Sequence, residues 1–170
     1  MSINVIGIDP GPATGIVILS WDEPAGRKPD RVHAYQCGHG SAADLLRYLL
    51  GRCANWAAGG IEEYRRTGGR SSRTASAADG KITMDLIPVL SGIASGHDLV
   101  LSCRPAATVK PWATDSRMEK AGLRAASPRA RSAIPAKMID AYSAGQQALY
   151  TAVRDAGVPD PLSRLTARAS

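Results

Sequence analysis

Residues 3–19, INVIGIDPGPATGIVIL, decide the fold that we predict for this chain. An apolar run stops at Asp9, Pro10 and Gly11 turn the chain, and a second apolar run opens after Gly15. Two runs rich in β-branched residues on either side of a Pro/Gly turn predict adjacent antiparallel strands. Asp9 is the only charged side chain in the stretch, and a carboxylate is costly to bury unless a cation or hydrogen bonds meet it. Asp9 therefore either caps the turn, as Asp before Pro-Gly often does, or binds something positive.

The composition indicates a single globular domain with a basic balance. The chain has 170 residues, of which 44% are apolar and none is Phe, so Val, Ile, Leu and Ala must fill the core. Lys and Arg number 21 against 15 Asp and Glu, which is compatible with a polyanionic partner. Three widely spaced cysteines, Cys37, Cys53 and Cys103, are typical of reduced thiols in a cytosolic protein. We expect no membrane segment, because no run approaches the ~18 apolar residues of a membrane helix.

The rest of the chain alternates strand and helix patterns. A third strand would complete an antiparallel meander, and a later helix followed by a strand fits a crossover onto a central sheet. Pro88 predicts a kink or a late start in that helix. After the first two strands, the predicted strands are residues 32–37, a strand ending at Ile61, and residues 99–103. Four helices are predicted: one starting at Ser41, one over 82–95, one over 114–123, and one from Pro135 to about 156.

A basic segment follows the strand that ends at Ile61. Residues 64–79, YRRTGGRSSRTASAAD, lack an apolar stripe, and we interpret them as a mobile loop. The loop concentrates positive charge, as expected of a surface that contacts a polyanion. Its arginines are Arg65, Arg66, Arg70 and Arg73.

Three acids stand at the ends of predicted elements. Asp9 follows the first strand, Glu62 follows a later strand, and Asp140 lies near the start of the last helix. In a sheet with helices on its faces, such positions can meet at one end, where carboxylates repel unless a divalent cation neutralises them. Oxygen ligands of this kind suit Mg²⁺ or Mn²⁺, and two such ions support phosphodiester cleavage. Any one of these acids alone is more simply an ordinary cap or turn residue; for the set, beside an arginine-rich loop, we favour metal binding.

The order of these motifs resembles RuvC-type Holliday-junction resolvases of the ribonuclease H-like superfamily. The motifs are IGIDPG, then GGIEEY, then VKPWATDSRMEKAGL, then a final helix that carries an acid. Their spacing is closer to that of small RuvC-like proteins of actinobacterial phages, and the resemblance covers residues 3–162. It implies an α/β fold in which a five-stranded mixed sheet, in the order 3-2-1-4-5, is flanked by helices. We expect residues 1–157 to form this nuclease domain and residues 158–170 to form a basic tail.

The resemblance also implies an activity and its residues. Asp9 matches the acid that binds both metal ions, Glu62 matches the family glutamate, and Asp140 would hold the second ion. Glu63 matches a less constrained neighbour, and Lys110 falls in a motif whose basic residue lies near DNA phosphate. The implied protein is a structure-selective endonuclease that uses two Mg²⁺ ions, or Mn²⁺ in their place, and leaves 5′-phosphate and 3′-hydroxyl ends. Its partner would be a four-way DNA junction. It would work in the cytoplasm of a bacterium or of a phage-infected host, and it could form a homodimer.

The last motif departs from the family pattern. The family shows an acid or His, then Ala, then a second acid three residues after the first, whereas Ser143 occupies that last position here. Asp140, Ser143 and Gln147 lie on one helix face, since positions i, i+3 and i+7 align. Either Asp140 supplies the ligand one turn earlier than usual, or the site is incomplete.

Two other functions compete with cleavage. A protein with an incomplete last motif would bind branched DNA without cutting it. A sugar kinase or an actin-like ATPase also opens on a GIDxG strand–turn–strand that cradles phosphate. Such ATPases need two such domains and a second phosphate loop, and we expect 170 residues to leave no room for them.

Overall fold

A computed structural model describes residues 2–64, 77–125 and 132–163. Its strands are β1 (Ile3–Asp9), β2 (Ala13–Trp21), β3 (Arg31–Gly38), β4 (Trp56–Glu63) and β5 (Leu101–Pro105). Its helices are α1 (His39–Arg52), α2 (Ala77–Ser95), α3 (Ala106–Val109), α4 (Asp115–Lys120) and α5 (Ile139–Arg154). No helix within these ranges has the length and apolar character that crossing a membrane requires.

The five strands form one mixed sheet in the order β3-β2-β1-β4-β5, which confirms the predicted fold class. The first three strands form the antiparallel meander expected from the Pro/Gly turn. β4 pairs with β1 in parallel, and β5 pairs with β4 in parallel after the α2 crossover. β1 is therefore central, and its last residue, Asp9, lies at the edge where β4 also ends.

Apolar side chains alternate between the two faces of the sheet. Val5 packs in a core with α5, whereas Ile6 and Ile8 pack in a second core with α1 and α2. Because strand side chains alternate with a period of two, Gly7 and Asp9 share the face of Val5. The same alternation places Glu62 on the α5 face of β4, since its neighbour Ile61 belongs to the other core.

Three glycines on adjacent strands let α5 lie directly against the sheet. A Cβ atom on Gly7 would overlap with the backbone of Ala144 in α5, and one on Gly15 would overlap with the backbone of Asp140. A Cβ on Gly60 would overlap with the hydroxyl of Thr151. Glycine in a strand often marks such a close backbone approach. These contacts bring the first half of α5 over the end of β1.

Several element boundaries differ from the sequence predictions. α1 begins at His39 rather than near Ser41, because the N–H of His39 is satisfied by the carbonyl of Pro12 at 3.0 Å. α2 begins at Ala77, so the late start expected from Pro88 is wrong. Its first turn lacks the apolar stripe that defined the prediction.

The last helix and the segment after β5 also differ. α5 begins at Ile139 rather than Pro135, since the N–H of Met138 closes a separate turn on the carbonyl of Pro135. The predicted loop after β5 contains the short helix α3, with Lys110 at its C-terminal end. The short helix predicted from residue 114 is confirmed as α4, and Thr114 caps it by accepting a hydrogen bond from the N–H of Arg117.

Candidate functional site

The strand register places Asp9 and Glu62 side by side. Gly7 pairs with Gly60 and Ile8 with Ile61, so the next residues of β1 and β4 are level with each other. Both carboxylates lie on the face covered by α5, and both are partly buried. Two neighbouring strands therefore deliver two acids to one edge of the sheet.

Asp140 lies at the same end of the sheet, on the other side of Asp9 from Glu62. Asp9 pairs with Gly15 across β1 and β2, and the backbone of Asp140 lies directly over Gly15. Gln36 on β3, which pairs with Gly15, accepts hydrogen bonds from the N–H groups of Asp140 at 3.1 Å and Ala141 at 3.4 Å. The start of α5 is thus fixed to the sheet beside Asp9.

Two cavities meet at Asp9. One, of about 360 Å³, is lined by Asp9, Glu62 and Glu63, and the other, of about 350 Å³, is lined by Asp9, Asp140 and Asp79. Asp9 therefore faces Glu62 in one cavity and Asp140 in the other. Among the described residues, no group of three or more His, Cys, Asp or Glu side chains is arranged to hold a metal ion.

The surroundings of Asp9 resist its ionisation. Burial, followed by the charges of Glu62 and Asp140, raises the pKa of Asp9 to about 7, while the charge of Lys110 and a hydrogen bond from Ser143 act in the opposite direction. A nearby cation favours the charged form of a carboxyl group. The site is thus one in which positive charge would be strongly stabilised.

Glu62 has one partnered and one unpartnered oxygen. Its Oε1 lies 3.5 Å from Nζ of Lys110, whose side chain is 44% exposed, and a pair of this length and exposure is weak. Its Oε2 is buried and has no hydrogen-bond partner within the described part of the chain. Buried polar atoms are normally satisfied, so this oxygen calls for a partner.

The residues present fit a divalent metal ion. The donor set consists of carboxylate oxygens, the ligands that Mg²⁺ and Mn²⁺ prefer, and one of them is buried without a partner. Asp9 and Glu62 could hold one ion, and Asp9 and Asp140 could hold another. Two ions that share Asp9 would occupy the two cavities on either side of it.

Ser143, which stands where the family has an acid, is in contact with the site. Its hydroxyl lowers the pKa of Asp9, against the effect of burial and of the neighbouring carboxylates. Ser143 thus favours the ionised form of Asp9 without adding negative charge. Whether Asp140 alone completes the last motif stays a prediction.

The other predicted residues divide into three groups. Glu63 lines the cavity of Glu62, and Lys110 contacts Glu62. Gln147 is fully buried, and its Nε2 donates to the carbonyl of Arg104 at 3.3 Å. The four loop arginines Arg65, Arg66, Arg70 and Arg73 lie outside the described residues.

Sequence reasoning missed three contributors to the site. Thr83 of α2 lines both cavities, and Asp79 lines one of them. Gln36 caps α5 from 104 residues away along the chain. The spacing of the apolar residues predicts which face of α2 is buried. It does not predict that the first turns of α2 lie beside the end of β1. The Gln36 contact likewise depends on the strand register, which no short motif contains.

Comparison with known proteins identifies the fold. No protein-family model matches the sequence, and no curated protein matches it. Among solved structures, RuvC of T. thermophilus in complex with a Holliday junction substrate matches with a TM-score of 0.58 and 14% identity, over 86% of this chain and 90% of that one. A second Thermus thermophilus RuvC structure matches with a TM-score of 0.55 and 17% identity, over 94% of this chain and all (100%) of that one. The chain therefore has the RuvC-like, ribonuclease H-like fold.

Proposed function

We propose that this protein is a divalent-metal-dependent, structure-selective endonuclease that resolves branched DNA by phosphodiester hydrolysis. The observation that supports this most is the position of Asp9, which faces Glu62 in one cavity and Asp140 in the other. The unpartnered, buried Oε2 of Glu62 adds a ligand atom without another function in the described structure. A solved RuvC with the same fold carries a Holliday junction substrate, which makes a four-way junction the first DNA to test.

In this proposal each acid has a distinct task. Asp9 would bind both ions, while Glu62 and Asp140 would bind one each. Two bound Mg²⁺ ions, or Mn²⁺ in their place, activate a water and stabilise the leaving oxygen of a phosphodiester. The hydroxyl of Ser143 favours the ionised form of Asp9, because it lowers the pKa of that carboxyl group.

Basic residues would hold the DNA backbone. Lys110 lies beside Glu62, partly exposed, and its long contact to Glu62 can be exchanged for a phosphate. We propose the same role for the loop arginines, the first of which follows Glu63 after a single residue, Tyr64, in the sequence. From the spacing of its motifs we place the protein with the small RuvC-like proteins of actinobacterial phages, working in the host cytoplasm, with a homodimer as the form that would engage two strands of a junction.

One observation favours a second function, binding without cleavage. Ser143 brings a hydroxyl to Asp9 where the family pattern has a carboxylate. If Asp140 does not compensate, the protein would recognise branched DNA and leave it intact.

Incubation of a labelled four-way junction with the protein and MgCl₂ tests the two functions directly. We expect nicking of the junction, none of a linear duplex of the same sequence, and loss of nicking in EDTA. Tight junction binding without nicking in either Mg²⁺ or Mn²⁺ would establish the binding protein instead. Failure to prefer the junction over the duplex would contradict both functions.

A further inference from the structure

Two consecutive glutamines of α5 are both buried but differ in how their amides are satisfied. Gln146 donates from Nε2 to the carbonyl of Ala113 at 2.8 Å, and Gln147 donates from Nε2 to the carbonyl of Arg104 at 3.3 Å. Of the two, Gln147 is the one whose side-chain oxygen is buried without a partner among the described residues. Gln147 is also completely inaccessible to solvent, so bulk water does not meet this oxygen.

The hydrogen bond to Arg104 fixes which way the amide of Gln147 is turned. The opposite orientation would place its oxygen against the carbonyl of Arg104, and two acceptors cannot bond to each other. Oε1 must therefore point away from that carbonyl. Oε1 of Gln147 is thus a hydrogen-bond acceptor with a fixed orientation and no donor among the described residues.

The sheet register places the amide of Gln147 over the paired residues Arg104 and Glu62. Arg104 of β5 pairs with Glu62 of β4. Gly60, two residues earlier on the same face of β4, lies under Gln147, since a Cβ there would be 3.5 Å from the backbone oxygen of Gln147. The side chain of Gln147 thus extends from α5 over the strand end that carries Glu62.

Two buried oxygens without partners therefore occupy one region, Oε1 of Gln147 and Oε2 of Glu62. Neither can donate a hydrogen bond while Glu62 is ionised, so each needs a donor or a cation, and a single cation between them would satisfy both. Lys110 does not supply it, because its ammonium lies against the other oxygen of Glu62, at 3.5 Å.

We propose that Gln147 is an additional metal ligand, whose side-chain oxygen coordinates the divalent cation that Glu62 binds. This inference rests on the proposed function. The bond from Nε2 to Arg104 would hold the ligand oxygen in place, as hydrogen bonds to metal ligands commonly do. A neutral oxygen at this position would add a ligand to the ion of Glu62 without adding negative charge beside Asp9 and Glu62.

Titration of the full chain with MnCl₂, followed by calorimetry and by thermal unfolding, tests the assignment. We expect Gln147→Met to weaken Mn²⁺ affinity by about tenfold, and to reduce the rise in Tm that Mn²⁺ produces. In EDTA the Tm of this variant should be unchanged or higher, because a buried unpaired oxygen is removed with only one long hydrogen bond. Gln146→Met is the matched control; it should lower the Tm in EDTA and leave Mn²⁺ affinity unchanged.

The opposite pattern would overturn the assignment. If Gln147→Met binds Mn²⁺ as tightly as the parent and only its Tm in EDTA falls, Gln147 is a structural residue. Should that variant not fold, Gln147→Glu serves in its place, and we expect it to bind Mn²⁺ more tightly and to have a lower Tm in EDTA through repulsion of Glu62. Unchanged Mn²⁺ affinity in Gln147→Glu would also overturn the assignment. Absence of Mn²⁺ binding by the parent protein would instead contradict the proposed function itself.

Discussion

At the end of β1, the half-buried carboxyl group of Asp9 has Glu62 on one side and Asp140 on the other. Burial and these two charges together raise the pKa of Asp9 to about 7, well above the value of an ordinary aspartate. A turn-capping Asp needs no such neighbours. From the sequence, Asp9 could be either a turn cap or a cation ligand; its neighbours in the structure are ones beside which a cation would stabilise its charge.

We expect replacement of Asp9 to separate the proposed cleavage from DNA binding. We expect Asp9→Asn to reduce junction nicking in Mg²⁺ by at least about a hundredfold, because it removes the charge that the two cavities share. Junction affinity, measured by gel shift in EDTA, should be equal or higher, since one negative charge is lost near the DNA. Asn keeps the volume of Asp, so the Tm serves as the folding control. Full cleavage by this variant would contradict the two-metal proposal.

Substitutions of Asp140 and Ser143 test which of the two residues completes the last motif. We expect Asp140→Asn to eliminate cleavage. Ser143→Asp should leave the rate unchanged or lower it, because a hydroxyl that favours the ionised form of Asp9 would be replaced by a carboxylate that repels it. Nicking rates of both variants beside the parent decide the matter. A faster Ser143→Asp variant, with little effect of Asp140→Asn, would show that the natural site is incomplete.

At the scale of elements, helix α5 determines whether the acids meet. It crosses the sheet on three glycines, so that Asp140 lies over Gly15 and Ala144 over Gly7. Its own sheet-facing residues are small, including Ala141, Ala144 and Ala148, all fully buried. Because the interface is closely packed, Asp140 on α5 lies near Asp9 on β1, and the two carboxylates can contribute to one site.

A methyl group at this interface should disturb both stability and the site. We expect Gly7→Ala to lower the free energy of unfolding by about 1–3 kcal/mol or more, because the new Cβ would overlap with the backbone of α5. Gly92→Ala is the control: a Cβ there meets no atom within 4 Å, and alanine stabilises a helix interior by about 0.5–1 kcal/mol. Urea denaturation measures both changes. A Gly7→Ala variant as stable as the parent would refute the close approach of α5.

The elements differ in how far the sequence could predict them. β1 and β2 follow from local chemistry, because β-branched runs and a Pro/Gly turn determine both the strands and their pairing. The sheet order came from the family resemblance, whereas the candidate acids were recognised by their positions at the ends of predicted elements, and the resemblance added their separate roles. α3 was missed because its four residues, Ala106–Val109, are too short to show a period. The glycine contacts under α5 and the Gln36 cap depend on register between distant segments, so no window of sequence contains them.

At the scale of the whole molecule, charge is distributed between two ends of the sheet. β1 ends and β2 begins at the end that carries Asp9, so the loop between β2 and β3 lies at the opposite end. The protein carries a formal net charge of +6, and a surplus of this sign attracts a polyanion to either end. The end that carries Asp9 differs from the opposite end in one respect: in the sequence, the arginine-rich segment 64–79 begins there, after Glu62 and Glu63 at the end of β4.

This placement predicts which arginines contribute to DNA affinity. Neutralising each phosphate releases counterions, and the slope of log affinity against log salt changes by about 0.9 per contact on duplex DNA. We expect the combined change of Arg65, Arg66, Arg70 and Arg73 to Ala to flatten that slope for a four-way junction. The control removes four positive charges from the opposite end, at Arg27, Lys28, Arg31 and Arg52, and should leave the slope nearly unchanged. Fluorescence anisotropy at several KCl concentrations gives both slopes. Equal flattening by the two sets would mean that the net charge alone draws the protein to DNA, whereas an unchanged slope in the first set would place the loop away from the DNA.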